Sequence, residues 1–274
     1  MILVSALPCF SDSAVYFLEK GLIMTPVILT AVGVGLATVI GACLVFLFKK
    51  TSHKFNDIVL SFAAGVMLAA AVVGLILPSL EYGKWSILLA VAGIFAGAIC
   101  LNLIDKLVPH LHSITGVDRE AHPDGNRGVD RVMLFVIAIA IHNIPEGIAA
   151  GVSFGTGDIS NAITVAGGIA LQNIPEGMVI IAPMLSAGIS KGRTFLIALA
   201  TGIVEVIGTF IGYFAVNIST AILPFALAFA GGTMLYVISD EMIPETHAHG
   251  NERGATYTLL VGFCLMLVFD FLLG

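Results

Sequence analysis

The chain has 274 residues, of which 58% are hydrophobic and 11% charged, with a formal net charge of −6 and a mean hydropathy of +1.04. Soluble domains average about 45–50% apolar and about 25% charged residues, so this composition excludes a soluble enzyme, a nucleic-acid-binding protein and a disordered chain. It predicts an integral membrane protein whose main partner is the lipid bilayer, with no nucleic acid bound.

Eight apolar segments are each long enough for a membrane-spanning helix, which needs about 20 residues. A β-barrel is excluded because its strands alternate between apolar and polar residues, whereas these segments are apolar throughout. The sequence therefore predicts an all-α, polytopic membrane protein in a single domain, 1–274, with a loop of about residues 108–130 between the third and fourth segments. In chain order, the segments cover about residues 22–48, 57–78, 84–107, 131–154, 160–185, 193–215, 219–243 and 255–273.

Basic residues are unequally divided between the two sides of the membrane. Ten of the twelve Lys and Arg residues lie in or beside the loops after the first, third, fifth and seventh segments, and only Lys20 and Lys84 lie on the other side. Cytoplasmic loops of membrane proteins are enriched in Lys and Arg. The sequence therefore predicts that the 108–130 loop is cytoplasmic and that both termini face outward.

Four carboxylates lie inside predicted spans: Asp270 is near the end of the last span, and the other three are Glu146, Glu176 and Glu205. Each charged group at the centre of a bilayer costs about 2.5–3.5 kcal/mol on insertion scales, and no Lys or Arg lies deep in any span to neutralise them. The three groups must therefore be protonated, hydrogen-bonded to one another or compensated by a bound cation.

Two of these carboxylates belong to a repeated motif. The fourth segment contains His-Asn-Ile-Pro-Glu-Gly and the fifth contains Gln-Asn-Ile-Pro-Glu-Gly, 30 residues later. Helical periodicity places His142 with Glu146 on one face, and Gln172 with Glu176 on another. The proline in each motif frees a backbone carbonyl, which is tolerated at membrane depth where it lines a polar cavity. Imidazole, carboxylate and amide ligands suit Zn²⁺, Fe²⁺, Mn²⁺ or Co²⁺ better than Cu(I).

The paired motifs resemble the signature of the ZIP family of metal-ion transporters, prokaryotic type, and the resemblance extends over all eight segments. It implies a two-metal centre midway through the membrane, in which Glu146 and Glu176 bridge both ions. The first ion would be bound by His142, Glu146, Gln172 and Glu176, and the second by Asn143, Glu146, Asn173, Glu176 and Glu205.

Two positions differ in how well they match this implied ligand set. Some prokaryotic relatives carry Asp where this chain has Asn173, so the neutral amide removes one charge from the second ion's ligands. The resemblance also implies a Met from the second segment near the first ion. The Phe62–Met67 stretch matches that part of the family, so Met67 is either a ligand or an ordinary packing residue.

The function that the resemblance implies is transport, not catalysis. The chain would be a multi-pass protein of the cell (inner) membrane that moves divalent transition-metal ions into the cytoplasm, with zinc first and cadmium, iron and manganese as alternatives. The family's description sets the first, fourth, fifth and sixth spans, which carry the metal, against the other four, with an elevator-like movement between them. A homodimer is left open.

Polar residues near the ends of the last two segments either form an exit route for the ion or cap a helix end in water. The exit-route candidates are Asp240, Glu241, Glu245, His247 and Asp270. His110 and His112, with Asp105, resemble the His-containing intracellular loop of the family. In an irregular loop these histidines either bind metal weakly or have no metal role, and the second interpretation is favoured.

Two other functions remain as alternatives. An intramembrane metalloenzyme would also bury His and Glu, but the His-Glu-x-x-His pattern that holds zinc beside a general base is absent. A proton-coupled carrier of another solute would account for buried carboxylates that exchange protons. It would not account for the duplicated His/Asn/Glu and Gln/Asn/Glu sets.

Overall fold

The computed structural model describes residues 12–47, 52–83, 85–107, 127–186 and 188–273. Within these ranges the chain forms eight long helices and no β-strand, which confirms the predicted all-α class. The helices, in chain order, are α1 (Asp12–Val45), α2 (His53–Ser79), α3 (Ser86–Leu107), α4 (Arg127–Ser153), α5 (Ile159–Ser186), α6 (Lys191–Ile218), α7 (Leu223–Thr246) and α8 (Glu252–Leu273).

Seven helices of the described chain, all except α4, have the length and apolar composition of membrane spans. Large apolar side chains such as Leu29, Phe95 and Phe271 are exposed on the outside of the bundle, as expected for a surface that faces lipid. The multi-pass membrane architecture is therefore confirmed. α1 begins at Asp12, earlier than predicted, because the mixed polar and apolar residues before its apolar segment continue the helix. Most of the predicted 108–130 loop lies outside the described residues.

The helices pack as two groups of four. In the first group, α4 packs along α6, and α1 packs along both α5 and α6. In the second group, α3 packs along α7, and α2 packs along α8 and contacts α7. The groups meet mainly where α5 contacts α2 and where α4 contacts α7. This grouping matches the one that the family resemblance implies.

Glycine residues make the contacts within a group closer than those between groups. A Cβ added to Gly35 of α1 would overlap the backbone carbonyl of Gly202 in α6, and one added to Gly65 of α2 would overlap a carbonyl of α8. Across the boundary between the groups, Gly168 of α5 meets only side-chain atoms, chiefly those of Met266. Small residues permit close helix packing in membranes, so each group is held by backbone contact, and the two groups meet through side chains.

The largest apolar core lies between the two groups. It contains Met67 and Leu75 of α2, Ala150 of α4, Ile169 of α5 and Met234 of α7, all of them buried. This core supports the inner faces of α4 and α5, which carry the two motifs.

Two helices contain a π-helical segment, Ala70–Ile76 in α2 and Ile238–Met242 in α7. A proline follows each segment, and proline cannot donate a hydrogen bond to the carbonyl four residues earlier. In α7, where the proline is Pro244, the amide of Ile243 donates five residues back to the beginning of the segment. π-Helical turns are frequent at functional sites, and this one contains Glu241.

Candidate metal centre

The two motifs lie on α4 and α5, which remain helical through Pro145 and Pro175. Their polar residues are buried, since His142 is 7% exposed, Asn143 and Glu146 are 1% exposed, and Gln172 and Asn173 are fully buried. Glu176 is partly buried. Glu205 of α6 is fully buried beside them.

The three carboxylates lie within electrostatic reach of one another. Glu146 interacts with both Glu176 and Glu205, and Glu176 interacts with His142. The described residues that face this group include no Lys or Arg, so the negative charge has no cationic side chain to offset it. Buried charge of one sign must be neutralised or paired, and a divalent cation would pair it.

Glu205 is held by three neutral donors. Its Oε1 accepts hydrogen bonds from Thr38 Oγ1 at 2.7 Å and Asn143 Nδ2 at 2.5 Å. Its Oε2 accepts one from Asn173 Nδ2 at 2.7 Å. Thr38 could not be selected from the sequence, because a threonine in an apolar helix usually bonds to its own backbone.

Several buried oxygens of the motif residues have no hydrogen-bond partner within 3.5 Å among the described residues, although Gln172 lies close enough to Glu146 to interact with its carboxylate. These oxygens are both carboxylate oxygens of Glu146 and the amide oxygens of Asn143, Gln172 and Asn173. Leaving a buried acceptor unpaired costs about 1–3 kcal/mol, and more for a charged one. Carboxylate and amide oxygens are also ligands for divalent cations, so the chemistry of this set fits a metal ion.

His142 is the contact between the motif and α7. Its Nε2 lies 2.8 Å from Oε1 of Glu241. Glu241 lies in the π-helical segment of α7 and is 28% exposed at its side chain. One predicted ligand and one predicted exit-route residue are therefore in direct contact across the boundary between the two helix groups.

Met67 is fully buried in the apolar core and belongs to the same cluster as Ile141 and Leu171, which directly precede the first residue of each motif. Counting only His, Cys, Asp and Glu, no three side chains in the described residues are placed to hold a metal. The candidate ligand set therefore depends on the amide oxygens as well.

Four of the exit-route candidates lie together at one end of α7. Asp240 is exposed, and Glu241, Glu245 and His247 are partly exposed. The His247 ring bonds to the carbonyl of Ile243 at 2.8 Å, so this histidine also caps the helix end, as the alternative interpretation predicts.

Asp270 lies apart from that group. It stands eighteen residues after Glu252, the beginning of α8, which corresponds to about 27 Å of helix. The nearby carbonyl of Leu273 accepts a hydrogen bond from Ser160 at the beginning of α5, so this end of α8 lies at the opposite end of the bundle. The structure therefore does not bring Asp270 together with the other candidates.

The glycine that ends each motif has a structural reason that the sequence did not reveal. A Cβ added to Gly147 would overlap the backbone carbonyl of Glu205, and one added to Gly177 would overlap that of Thr38. The two glycines thus bring α4 against α6 and α5 against α1 at the height of the carboxylate network.

A second polar group lies where α2 begins. Asp57, which is 2% exposed, accepts a hydrogen bond from Asn251 and lies 3.0 Å from Nδ1 of His249, which stacks on His53. This group joins α2 to the connection between α7 and α8. Asp57 was not singled out from the sequence, since a single Asp near a helix end usually faces water.

The chain is similar to known zinc transporters over most of its length. Residues 117–270 match the family described as ZIP Zinc transporter. Zinc transporter GufA of Myxococcus xanthus is 39% identical over 247 residues, which cover 88% of this chain and 96% of that protein. Zinc transporter ZIPB of Bordetella bronchiseptica is 37% identical over 248 residues, covering 87% and 78%. Zinc transporter ZupT of Clostridium perfringens is 33% identical over 263 residues, covering 85% and 91%.

Proposed function

The chain belongs to the ZIP family of zinc transporters, and on that basis we propose that it carries divalent transition-metal ions, zinc first, through the cell membrane into the cytoplasm. The observation that carries this proposal is the set of buried, unpartnered oxygens on the two motifs, centred on the Glu146 carboxylate. A permanently bound cation would pair these oxygens at all times. A transported ion would satisfy them only while it passes.

The ion's first set of ligands would be His142, Glu146, Gln172 and Glu176, with Met67 beside them. All of these positions lie on the inner faces of α4, α5 and α2, near the middle of their helices. Such a donor set of nitrogen, oxygen and sulfur favours zinc, cadmium, iron and manganese over calcium or magnesium, which take oxygen ligands.

The family resemblance implies a second ion, which would have to use Asn143, Asn173 and Glu205 together with the two motif carboxylates. In the structure both asparagines donate a hydrogen bond to the Glu205 carboxylate. A second ion bound by Glu205 would have to compete with the three hydrogen bonds that the Glu205 carboxylate already accepts.

The route to the cytoplasm would pass Glu241. Its carboxylate lies 2.8 Å from His142. An ion that leaves the site could therefore bind Glu241 before it has lost all of its protein ligands. Glu245 follows one turn later, at the end of α7. Since α4 and α7 belong to different groups, relative movement of the groups would separate or join this pair, in keeping with an elevator-like mechanism.

The proposed direction requires eight spans with both termini outside. With native cysteines replaced, single cysteines at positions 120 and 191 should be protected from impermeant thiol reagents in intact cells. Position 120 belongs to the predicted 108–130 loop and position 191 begins α6, and the sequence predicts that both are on the Lys- and Arg-rich side. A cysteine at position 82, in the connection between α2 and α3, serves as the accessible control. Labelling of 120 and 191 from outside would reverse the orientation and turn uptake into export.

Transport itself is tested with the purified full chain in proteoliposomes. We expect accumulation of radioactive zinc that saturates, that excess Cd²⁺ inhibits, and that excess Mg²⁺ leaves unchanged, since Mg²⁺ keeps its water shell and prefers octahedral oxygen ligands. Absence of zinc uptake alongside proton-coupled uptake of an organic solute would favour the carrier alternative. Peptide cleavage without uptake would favour the metalloenzyme.

A further inference from the structure

Glu205 joins all four helices of the first group through neutral donors. Thr38 comes from α1, Asn143 from α4 and Asn173 from α5, and each donates to the Glu205 carboxylate on α6 at 2.5–2.7 Å. All four side chains are at most 1% exposed. The Glu205 carboxylate therefore accepts three hydrogen bonds without any cation. Neither of its oxygens is left without a hydrogen-bond partner.

These bonds fix the orientation of two amides. An Asn side chain carries its donors on nitrogen and its acceptor on oxygen, and the nitrogen of each Asn faces Glu205. With Glu205 ionised, the reverse orientation would set an amide oxygen against a carboxylate oxygen, two acceptors with no proton between them. The oxygen of each amide is therefore turned away from Glu205, and these are two of the buried oxygens that have no partner among the described residues.

We propose that Glu205 is a positioning residue of the metal site and not one of its ligands. It holds Asn143 and Asn173 so that their amide oxygens are presented to an ion bound at Glu146, and the wild-type chain binds one ion per molecule. The inference rests on the proposed function, because it takes the ion to be bound at the motif carboxylates.

The residue at position 173 determines whether the site binds one ion or two. An Asp at that position could not donate to Glu205, so two carboxylates would then face each other with no proton or cation between them. Like charges in this position are strongly unfavourable. A second cation would relieve the repulsion, so the neutral amide keeps the site at one ion.

The first test counts bound zinc in the purified full chain by equilibrium dialysis and metal analysis. We expect one zinc per wild-type chain and two per Asn173→Asp chain. Two ions in the wild type would overturn the proposal while leaving the transport function intact. Absence of any bound zinc in the wild type would instead contradict the proposed function.

The second test reverses one hydrogen bond. In Glu205→Gln, the new amide nitrogen must face another donor unless Asn143 or Asn173 turns over and offers its N–H groups to the ion. Loss of an outer hydrogen-bond partner of a metal ligand typically lowers affinity about 10- to 100-fold, and we expect a loss in that range with the stoichiometry still at one. An unchanged affinity would contradict the positioning role.

The reciprocal variant Glu205→Gln/Asn173→Asp should recover one ion and an affinity within about threefold of wild type, because the Gln nitrogen can then donate to the Asp carboxylate. Thr209→Val is the matched control. Thr209 is fully buried one turn along α6, and its hydroxyl donates to the backbone carbonyl of Glu205 and not to the carboxylate. If this control lost as much zinc affinity as Glu205→Gln, the positioning role of Glu205 would be contradicted, because any change in packing would then have the same effect.

Discussion

Glu146→Gln should lower zinc uptake at least about a hundredfold at equal surface expression. Glu146 is 1% exposed, and neither of its carboxylate oxygens has a hydrogen-bond partner among the described residues. Removing the charge from such a site costs the bound ion several kcal/mol of interaction, and each 1.4 kcal/mol is a factor of ten in affinity. The side chain keeps its shape in this variant, so the loss reports on charge. The measurement is the initial rate of radioactive zinc uptake in proteoliposomes.

The comparison variant replaces three histidines of the loop, His110, His112 and His122, by Ala. Water can replace a histidine ligand in a hydrated loop, so this triple variant should keep most of its transport rate. A transport-competent Glu146→Gln protein together with an inactive loop variant would place the metal path outside the two motifs.

Gly177→Ala should disrupt the protein as severely as the loss of a ligand. The added Cβ would overlap the carbonyl oxygen of Thr38 in α1, and a backbone atom cannot move aside as a flexible side chain can. Overpacking of this kind typically costs about 1–3 kcal/mol and occasionally more. Separating α1 from α5 would also carry Thr38 away from Glu205. We expect a lower thermal unfolding midpoint and zinc uptake below about one tenth of wild type.

Gly192→Ala is the matched control for that substitution. Gly192 lies in the first turn of α6, and no atom lies within 4 Å of an added Cβ. Alanine is about 1 kcal/mol more favourable than glycine within a helix, so this variant should be as stable as wild type or slightly more stable. Equal behaviour of the two variants would show that the close approach at Gly177 does not limit the packing of α1 on α5.

The sequence predicted the helices well because the bilayer imposes a simple requirement. A span must satisfy its backbone internally and carry about 20 apolar residues, and both properties are local. The two motifs were equally visible, since a polar His-Asn-x-Pro-Glu pattern within an apolar helix has few structural explanations. Positive charges gave an expected orientation by the same local logic.

Features that depend on the approach of distant helices were not predictable. Thr38 and Glu205 are separated by 167 residues in the chain, and nothing in the local sequence of either indicates the other. The contact between His142 and Glu241 also depends on packing between groups. The π-helical segment around Glu241 could have been suspected from Pro244, because a proline near a helix end disturbs the hydrogen bonds of the preceding turn.

The hydrogen bonds to Glu205 affect the stability of the protein when no metal ion is bound. Many small metalloproteins unfold when their metal is removed, because binding energy and folding energy are the same quantity. Here the fully buried Glu205 carboxylate accepts hydrogen bonds from Thr38, Asn143 and Asn173 with no metal ion involved. The four helices that they join can therefore stay assembled while no metal is bound, so the fold of this group does not depend on a supply of zinc.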